Sequence, residues 1–357
     1  MGDALHLAAS QVVTPDGVLR DTIVEIDGDA IAALRPARGA VPERTLVPGF
    51  VDLQVNGIGA IDVATADGGD WDELDQLLLA QGVTAWCPTL VTAPLERYGP
   101  ALDRIAAATR RPVRGGPFIA GAHLEGPFLG GAPGAHRREL LRAIDLAWLG
   151  ALPPIVRIVT LAPELAGACD AVAALSRRGI VVSLGHSIAD VEQTRAAVDA
   201  GARMATHVFN GMGPFHHREP GIAGVVLTDD RVVSGVIADL VHLHPVALAL
   251  VFRAKARRVA LVTDAVAWPD PAAGVASLPD GTLAGATTTM DQAVRHLVHR
   301  AGVPLADAVH AAATAPADLL GLRERGRIAP GARADLVALD AGLGVEQVWV
   351  GGHAVGA

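Results

Sequence analysis

The sequence contains almost no lysine, few cysteines and no long apolar run. Its single lysine is Lys255, and no Gly-Lys-Ser/Thr phosphate loop occurs. A Schiff-base lysine would have to be Lys255, whose arginine-rich segment 252–258 is typical of a solvent-exposed helix end. Cys87 and Cys169 are too few for a disulfide framework or a thiolate zinc cage. Two cysteines are compatible with reduced thiols. The N-terminus does not resemble a leader, and no run approaches about 18 apolar residues. We therefore predict a cytoplasmic protein without membrane contact.

Excess positive charge is also missing. The 357 residues carry a formal net charge of −9, with no long basic run and only 3% aromatic residues. We therefore expect neither nucleic acid nor an anionic membrane as a partner. Hydrophobic residues make up 51% and charged residues 19%, which allows a large buried core. The length predicts one large barrel with an appendage, or two domains.

The middle of the chain has the alternating pattern of an α/β protein. Short β-branched runs alternate with alanine- and leucine-rich helical stretches, as in successive βα units around a parallel sheet. Eight repeats over roughly 270 residues match a (β/α)8 TIM-like barrel. The predicted strands are 47–55, 83–89, 118–125, 156–162, 180–185, 204–207, 232–238 and 259–263.

Both ends of the chain lack this alternation. Residues 22–29 form an alternating strand that runs into an Asp-Gly turn, and residues 334–339 and 345–350 also resemble short strands. We predict that 47–325 is the barrel domain. Residues 1–46 and 326–357 are then expected to join in one small β-sandwich beside it.

Unusual polar residues fall at the ends of predicted strands, where catalytic groups of such barrels project. Glu125, His186 and His207 end three different strands, and Asp264 ends the eighth. One carboxylate and two imidazoles are typical of catalytic zinc with open positions for water. A bound cation lowers the pKa of its water from about 15.7 to about 7. Asp264 is placed to take that water's proton and pass it to a leaving group.

Other interpretations of these residues remain open. Each histidine alone is more typical of a structural or surface residue, and Asp264 alone of a helix cap. The Gly-His-Ser run at 185–187 resembles the nucleophile elbow of a serine hydrolase, with Ser187 as nucleophile, but leaves Glu125 and His207 unexplained. A catalytically inactive barrel that serves as a binding scaffold is a third interpretation, although such proteins typically lose ligands.

Together these motifs identify a resemblance over nearly the whole chain. The sequence resembles the N-acetylglucosamine-6-phosphate deacetylases of the amidohydrolase superfamily, and its motifs also follow one another in the same order. The matching segments are 48–57 (PGFVDLQVNG), 123–129 (HLEGPFL), 134–136 (GAH), 161–164 (LAPE), 185–187 (GHS), 206–212 (THVFNGM), 218–221 (REPG), 262–265 (VTDA) and 283–285 (LAG).

The resemblance implies removal of the acetyl group from N-acetyl-D-glucosamine 6-phosphate, giving D-glucosamine 6-phosphate and acetate. By this likeness Glu125, His186 and His207 hold the metal, Asp264 is the general acid/base, and His136 polarises the acetyl carbonyl. It also implies a homodimer, because part of the phosphate pocket comes from a neighbouring subunit in such enzymes. The substrate contacts it implies are Ala135, His136, Asn210, Gly211, Arg218, Asp239, His242, Leu283, Ala284 and Gly285.

The sequence departs from many amidohydrolases in two ways. Their His-x-His motif is replaced by Gln54-Val55-Asn56, and Lys255 is misplaced for a carbamylated lysine that bridges two metals. We therefore expect one divalent metal ion per subunit, zinc in the first place, with iron, manganese and cobalt also compatible. Segments after Asp239 and Asp264 differ from relatives, so N-acetylgalactosamine 6-phosphate or another N-acyl amino sugar is the alternative substrate.

Overall fold

Strands and helices alternate through the middle of the chain, and strands form both ends. The computed structural model describes residues 5–111, 115–268 and 275–355. The strands in these residues are β1 (Leu5–Thr14), β2 (Gly17–Asp27), β3 (Ala30–Pro36), β4 (Thr45–Pro48), β5 (Phe50–Val55), β6 (Gly57–Ile58), β7 (Ile61–Asp62), β8 (Val83–Val91), β9 (Phe118–Ile119), β10 (Ala122–Glu125), β11 (Val156–Leu161), β12 (Val181–Leu184), β13 (Met204–Ala205), β14 (Val233–Val236), β15 (Val259–Leu261), β16 (Leu336–Leu339), β17 (Val345–Val350) and β18 (His353–Val355).

Ten α-helices lie within the described ranges. They are α1 (Asp70–Ala80), α2 (Leu95–Ala108), α3 (Leu146–Gly150), α4 (Ala168–Arg177), α5 (Val191–Ala200), α6 (Gly221–Thr228), α7 (Pro245–Lys255), α8 (Met290–His299), α9 (Leu305–Val309) and α10 (Ala315–Leu319). A π-helical turn (His310–Thr314) joins α9 to α10.

Eight parallel strands form the barrel wall in chain order: β5, β8, β10, β11, β12, β13, β14 and β15. The last strand returns towards the first, because the backbone N–H groups of Asn56 and Gly57 donate to the carbonyl of Ala265 at 2.7 and 3.0 Å. The wall strands are largely buried, since helices cover the outside and side chains fill the inside. The predicted (β/α)8 barrel is therefore confirmed.

Strands from both ends of the chain form one additional seven-stranded sheet, in the order β18-β17-β16-β4-β1-β2-β3. Strand β4 connects the two ends, pairing parallel with β1 and antiparallel with β16. One face buries a separate apolar core that includes Leu46, Ile26 and Trp349. The other face contributes Val47 and Val337 to the large core that it shares with the barrel. The predicted association of both ends in one small β unit is confirmed, and its described strands belong to a single sheet.

The single strand predicted over 47–55 is wrong, because the chain forms two strands, β4 and β5, that belong to different sheets. They separate at Gly49, whose N–H donates to the carbonyl of Asp335 at 2.9 Å. A Cβ at Gly49 would lie 2.1 Å from Oγ1 of Thr84, which is buried. The chain therefore passes between the two sheets where only a glycine fits.

The expectation of a solvent-exposed Lys255 is also wrong. Its side chain is buried at the end of α7, and its Nζ donates to the carbonyl of Asp229 at 2.7 Å. A long aliphatic stem allows such burial when the ammonium finds a polar partner. Cys87 is buried, Cys169 is exposed, and neither is in a disulfide. No helix within the described ranges combines the length and apolarity needed to span a membrane.

Gly49→Ala tests this passage between the sheets. We expect it to lower the free energy of unfolding by about 1–3 kcal/mol, because the new methyl group overlaps the buried Thr84. Gly99→Ala is the control, since Gly99 is exposed inside α2 with open space around it. That control should leave stability unchanged or raise it slightly. Urea unfolding followed by circular dichroism compares the two, and equal stabilities would contradict the steric account.

Candidate active site

Polar side chains from five wall strands meet at the C-terminal mouth of the barrel. All are buried, although carboxylates and side-chain amides are usually exposed. Hydrogen-bond distances connect each of them to at least one other. They are Gln54 on β5, Asn56 directly after β5, Glu125 at the end of β10, His186 after β12, His207 after β13, and Asp264 after β15.

Three of these groups form a closely spaced centre. Glu125 Oε1 lies 3.1 Å from Nε2 of His186 and 3.1 Å from Nε2 of His207. The two Nε2 atoms are themselves 3.1 Å apart. Ligand atoms that share one zinc at tetrahedral angles lie about 3.3 Å from each other. The spacing of the predicted ligands therefore fits a single metal ion.

Backbone carbonyls determine the tautomers of both histidines. His186 Nδ1 lies 3.3 Å from the carbonyl oxygen of Ala132, and His207 Nδ1 lies 3.1 Å from that of Asn210. A carbonyl only accepts, so each Nδ1 carries the hydrogen. In the neutral imidazole the Nε2 lone pair is then free to bind a metal. Two such lone pairs beside a carboxylate oxygen form a donor set that one metal ion can bind, which is the chemical argument for a metal here.

His136 lies at the same centre but has the opposite tautomer. Its Nε2 is 3.2 Å from His186 Nε2 and 4.0 Å from Glu125 Oε2, so Glu125, His136 and His186 also form a possible ligand set by distance. The backbone N–H of Thr92 donates to Nδ1 of His136 at 3.4 Å. Burial, then the neighbouring His186, lowers the pKa of His136 to about 3, so its ring is neutral. Its Nε2 therefore carries the hydrogen and faces the centre as a donor.

Two amides hold the Asp264 carboxylate beside this centre. Gln54 Nε2 donates to Asp264 Oδ1 at 2.9 Å and to Glu125 Oε1 at 3.0 Å. Asn56 Nδ2 donates to the same Oδ1 at 2.8 Å. Burial, then the charge of Glu125, raises the pKa of Asp264 to about 7. A carboxyl with this pKa exchanges a proton readily near neutral pH.

The backbone turns sharply at the residues that reach the centre. His186, His207 and Asp264 have φ angles of 50°, 27° and 51°, in the left-handed region that non-glycine residues rarely adopt. Such conformations cluster at functional sites because the surrounding structure imposes them. Gly211 also has a positive φ, and a Cβ there would lie 2.7 Å from His186 Nδ1. Only glycine fits beside that ring.

A chain of buried hydrogen bonds lies below the centre, and sequence reasoning did not identify it. His123 Nδ1 donates to the carbonyl of Leu53 at 2.9 Å, so its Nε2 accepts from the Thr160 hydroxyl at 2.8 Å. Thr160 then accepts from Thr206 at 2.8 Å, and Thr206 from Ser183 at 2.6 Å. The bonds all run in one direction and connect β10, β11, β12 and the segment after β13.

Asp52 is a second residue that the sequence analysis missed. Its carboxylate accepts from the Thr263 hydroxyl at 2.6 Å and from the Gln54 N–H at 3.1 Å. It therefore holds the end of β5 against the segment that carries Asp264. Asp52 and His123 each precede a site residue by two positions, Gln54 and Glu125 respectively. Side chains two apart on a strand face the same side, and that signal was available in the sequence.

A cavity of ≈ 620 Å³ opens over the centre, within the range of about 300–1,000 Å³ that is typical of small-molecule sites. The predicted metal ligands line it, together with most of the predicted substrate contacts. Arg218 and Asp239 are the two that do not line it. The predicted contacts that do are Ala135, His136, Asn210, Gly211, His242, Leu283, Ala284 and Gly285.

Asp239 and Arg218 have different surroundings. Asp239 Oδ2 accepts from Nδ1 of His242 at 2.7 Å, so Asp239 orients a histidine that lines the cavity. Arg218 is exposed, and its Nη1 lies 2.9 Å from His217 Nε2. Within one chain, the Arg218 guanidinium therefore lies outside the cavity over the Glu125 centre.

The serine-hydrolase interpretation finds no support in the geometry of Ser187. Its hydroxyl donates to Glu164 Oε2 at 2.5 Å and accepts from the Ala189 N–H at 2.9 Å. Its hydrogen bonds thus go to a carboxylate and a backbone amide. The adjacent His186 is directed to the Glu125 centre. Ser187 orders the loop after β12.

Comparison with known proteins gives a consistent result. The model of the amidohydrolase family matches residues 45–355. The chain is 40% identical to N-acetylgalactosamine-6-phosphate deacetylase of Escherichia coli O157:H7, over 97% of this chain and 98% of that protein. It is 41% identical to N-acetylglucosamine-6-phosphate deacetylase of Bos taurus, over 87% and 83% respectively. An aspartate-to-alanine mutant of N-acetyl-D-glucosamine-6-phosphate deacetylase from Mycobacterium smegmatis, in complex with N-acetyl-D-glucosamine-6-phosphate, superposes with a TM-score of 0.92 at 35% identity and full coverage of both chains.

The two histidine tautomers predict different effects on metal content. We expect His207→Ala to reduce tightly bound divalent metal from about one ion per chain to well below that, because it removes one of three ligands. His136→Ala should keep the metal, because its Nε2 is a donor. Elemental analysis of the purified variants measures both. Loss of metal from the His136 variant but not from the His207 variant would contradict the assignment.

Proposed function

The chain belongs to the amidohydrolase family, and we propose that it removes the acetyl group from N-acetyl-D-glucosamine 6-phosphate, giving D-glucosamine 6-phosphate and acetate. One observation carries the proposal. A carboxylate and two imidazole lone pairs converge beside a separately held aspartate and a neutral imidazole N–H, all within one cavity. Amide hydrolysis needs these parts: an activated water, a proton carrier and a donor for the developing oxyanion.

Glu125, His186 and His207 would hold one divalent ion. When bound, such an ion supplies Lewis acidity, which makes water a better nucleophile and polarises a carbonyl. The donor set favours zinc, and iron, manganese and cobalt are also compatible with it. A second metal ion would need ligands with a free lone pair at positions 54 and 56. The amide nitrogens of Gln54 and Asn56 instead donate to carboxylates, so we assign one ion to each chain.

Asp264 is the proton carrier in this proposal. Two amides hold its Oδ1, which leaves Oδ2 to take the proton of the attacking water. The water oxygen forms a bond to the acetyl carbon, and the carbon–nitrogen bond then breaks. Asp264 returns the proton to the departing amine, so the products are a free amino sugar and acetate.

His136 binds the acetyl carbonyl in this proposal. Its Nε2–H faces the centre, and the hydrogen bond strengthens as the carbonyl oxygen becomes an oxyanion. The loop that carries it also places Ala135 in the cavity wall, against which the acetyl methyl group packs. Leu283, Ala284 and Gly285 form the opposing wall for the sugar ring.

The 6-phosphate binds at the rim, between His242 and the Asn210–Gly211 loop. Asp239 holds Nδ1 of His242, which keeps the ring oriented in the cavity wall. Because Arg218 is exposed outside its own cavity, we assign it to the cavity of a second copy in a homodimer. An arginine fork binds phosphate oxygens in pairs, so Arg218 of the partner subunit completes the phosphate site.

Asp264→Asn tests the proton carrier. We expect kcat for acetate release from N-acetylglucosamine 6-phosphate to fall by about 10²–10⁴-fold, because the amide has the same shape but exchanges no proton. Metal content should stay at the wild-type level, which is the control. A wild-type protein that releases no acetate with zinc, iron, cobalt or manganese supplied would contradict the proposed function.

The same assay with N-acetylgalactosamine 6-phosphate tests the second candidate substrate, which the name of the Escherichia coli relative supports.

Arg218→Ala tests the phosphate site and the dimer together. We expect KM to rise at least about tenfold for the phosphorylated sugar and to change little for the free sugar. The control Arg253→Ala removes another exposed arginine, from α7. Co-expressing Arg218→Ala and Asp264→Asn chains should restore wild-type KM in about a quarter of all sites, since each mixed dimer has one intact site. No recovery in mixed dimers would contradict a site shared between subunits.

A further inference from the structure

A second cavity lies at the opposite end of the barrel from the active site. Its volume is ≈ 650 Å³, similar to that of the catalytic cavity. Much of the wall consists of residues at the starts of β12, β13, β14 and β15, before or at the first residue of each strand. The helical segment that begins at His310 forms one side. The catalytic groups follow the ends of the same strands. This cavity, which we call the lower cavity, therefore belongs to a different face of the molecule.

Positive charge dominates the lower cavity, although the whole chain carries −9. Four arginines line it, and Asp318 is its only carboxylate among the described lining residues. Asp318 already pairs with the Arg327 guanidinium. The lining cations are Arg203, Arg231, Arg257 and Arg258.

Carboxylates within the described residues neutralise only one of these four arginines. Arg231 pairs with Asp199 at 2.8 Å and with Asp229 at 2.6 Å. Arg203, Arg257 and Arg258 form no ion pair with any residue that the structure describes. Three arginines thus line one cavity without an ion-pair partner in the described residues, which favours the binding of an anion.

Structural roles account for only part of the donor capacity of these three side chains. Arg203 Nη1 donates to the carbonyls of Val198 and Ala202, as expected beside a helix C-terminus. Arg257 Nη1 donates to the carbonyl of Pro15. The Arg258 guanidinium donates to no group in the described ranges. Each guanidinium has five N–H donors, so most remain available to a ligand.

We propose that the lower cavity binds a small phosphorylated metabolite through Arg203, Arg257 and Arg258. Guanidinium groups bind phosphate oxygens in pairs, and three of them suit a dianionic phosphoryl group better than a carboxylate. The volume also accommodates the sugar or nucleoside that carries the phosphate. This site is separate from the catalytic cavity, and it does not depend on the proposed reaction.

The neighbours of the lower cavity connect it to the catalytic residues. His310 and Ala315 line it, and the π-helical turn between them packs against β5 and β15. Those two strands lead to Gln54 and Asp264. π-Helical turns are rare and frequently occur at functional sites. A ligand in the lower cavity would therefore lie beside the turn that packs against the strands leading to the proton carrier.

Isothermal titration of the metal-loaded wild-type protein with inorganic phosphate, glucose 6-phosphate and adenosine monophosphate tests the proposal. The Arg203→Gln/Arg258→Gln double variant should weaken binding of at least one probe by about tenfold or more, since it removes two charge-assisted contacts. Arg20→Gln/Arg253→Gln removes the same charge from exposed positions outside the cavity and should change binding less than about twofold. KM for the acetylated substrate should stay unchanged in both double variants.

The probes distinguish the phosphoryl group from the group that carries it. Equal binding of all three assigns recognition to the phosphoryl group, and preference for one of them identifies the sugar or nucleoside as part of the ligand. Arg258→Gln alone is the second variant, because it removes no hydrogen bond recorded in the described residues and should still weaken binding. Absence of binding by every probe, or equal weakening in the Arg20/Arg253 control, would overturn the proposal.

Discussion

The active site depends on the convergence of three ligand atoms that a single metal ion can bind together. Glu125 Oε1 and the Nε2 atoms of His186 and His207 are held at mutual distances of 3.1 Å. No local segment brings them together, because they end three different strands. Closure of the barrel supplies the proximity, and backbone carbonyls at Nδ1 supply the tautomers. The other groups are arranged around this centre.

The side-chain amides of Gln54 and Asn56 distinguish this centre from a site that binds two metal ions. Gln54 bridges the carboxylates of Glu125 and Asp264, and Asn56 also donates to Asp264. Their nitrogen atoms therefore face carboxylate oxygens where a second metal would need a lone pair. These contacts hold Asp264 in place, and burial, then the charge of Glu125, raises its pKa to about 7. A scaffold that had lost catalysis would have no need to maintain this set of contacts.

The sequence predicted the barrel and its polar strand ends well, because both follow from local periodicity. Glu125, His186, His207 and Asp264 do lie together, since parallel strands end at one rim. The passage at Gly49 was missed because the collision that requires glycine comes from Thr84 on a neighbouring strand. The burial of Lys255 does not follow from its own arginine-rich segment, because its partner, the Asp229 carbonyl, is distant in sequence. The opposite tautomers of His136 and His207 depend on backbone contacts that no residue pattern encodes. The phosphate role of Arg218 stays a prediction.

Anomalous X-ray diffraction at the zinc absorption edge, from crystals of the zinc-loaded protein, tests the central claim most directly. The account predicts one strong peak per chain at about 2.0–2.2 Å from Glu125 Oε1, His186 Nε2 and His207 Nε2, with His136 outside bonding distance. Two peaks per chain, or one peak bonded to His136 in place of His207, would contradict it.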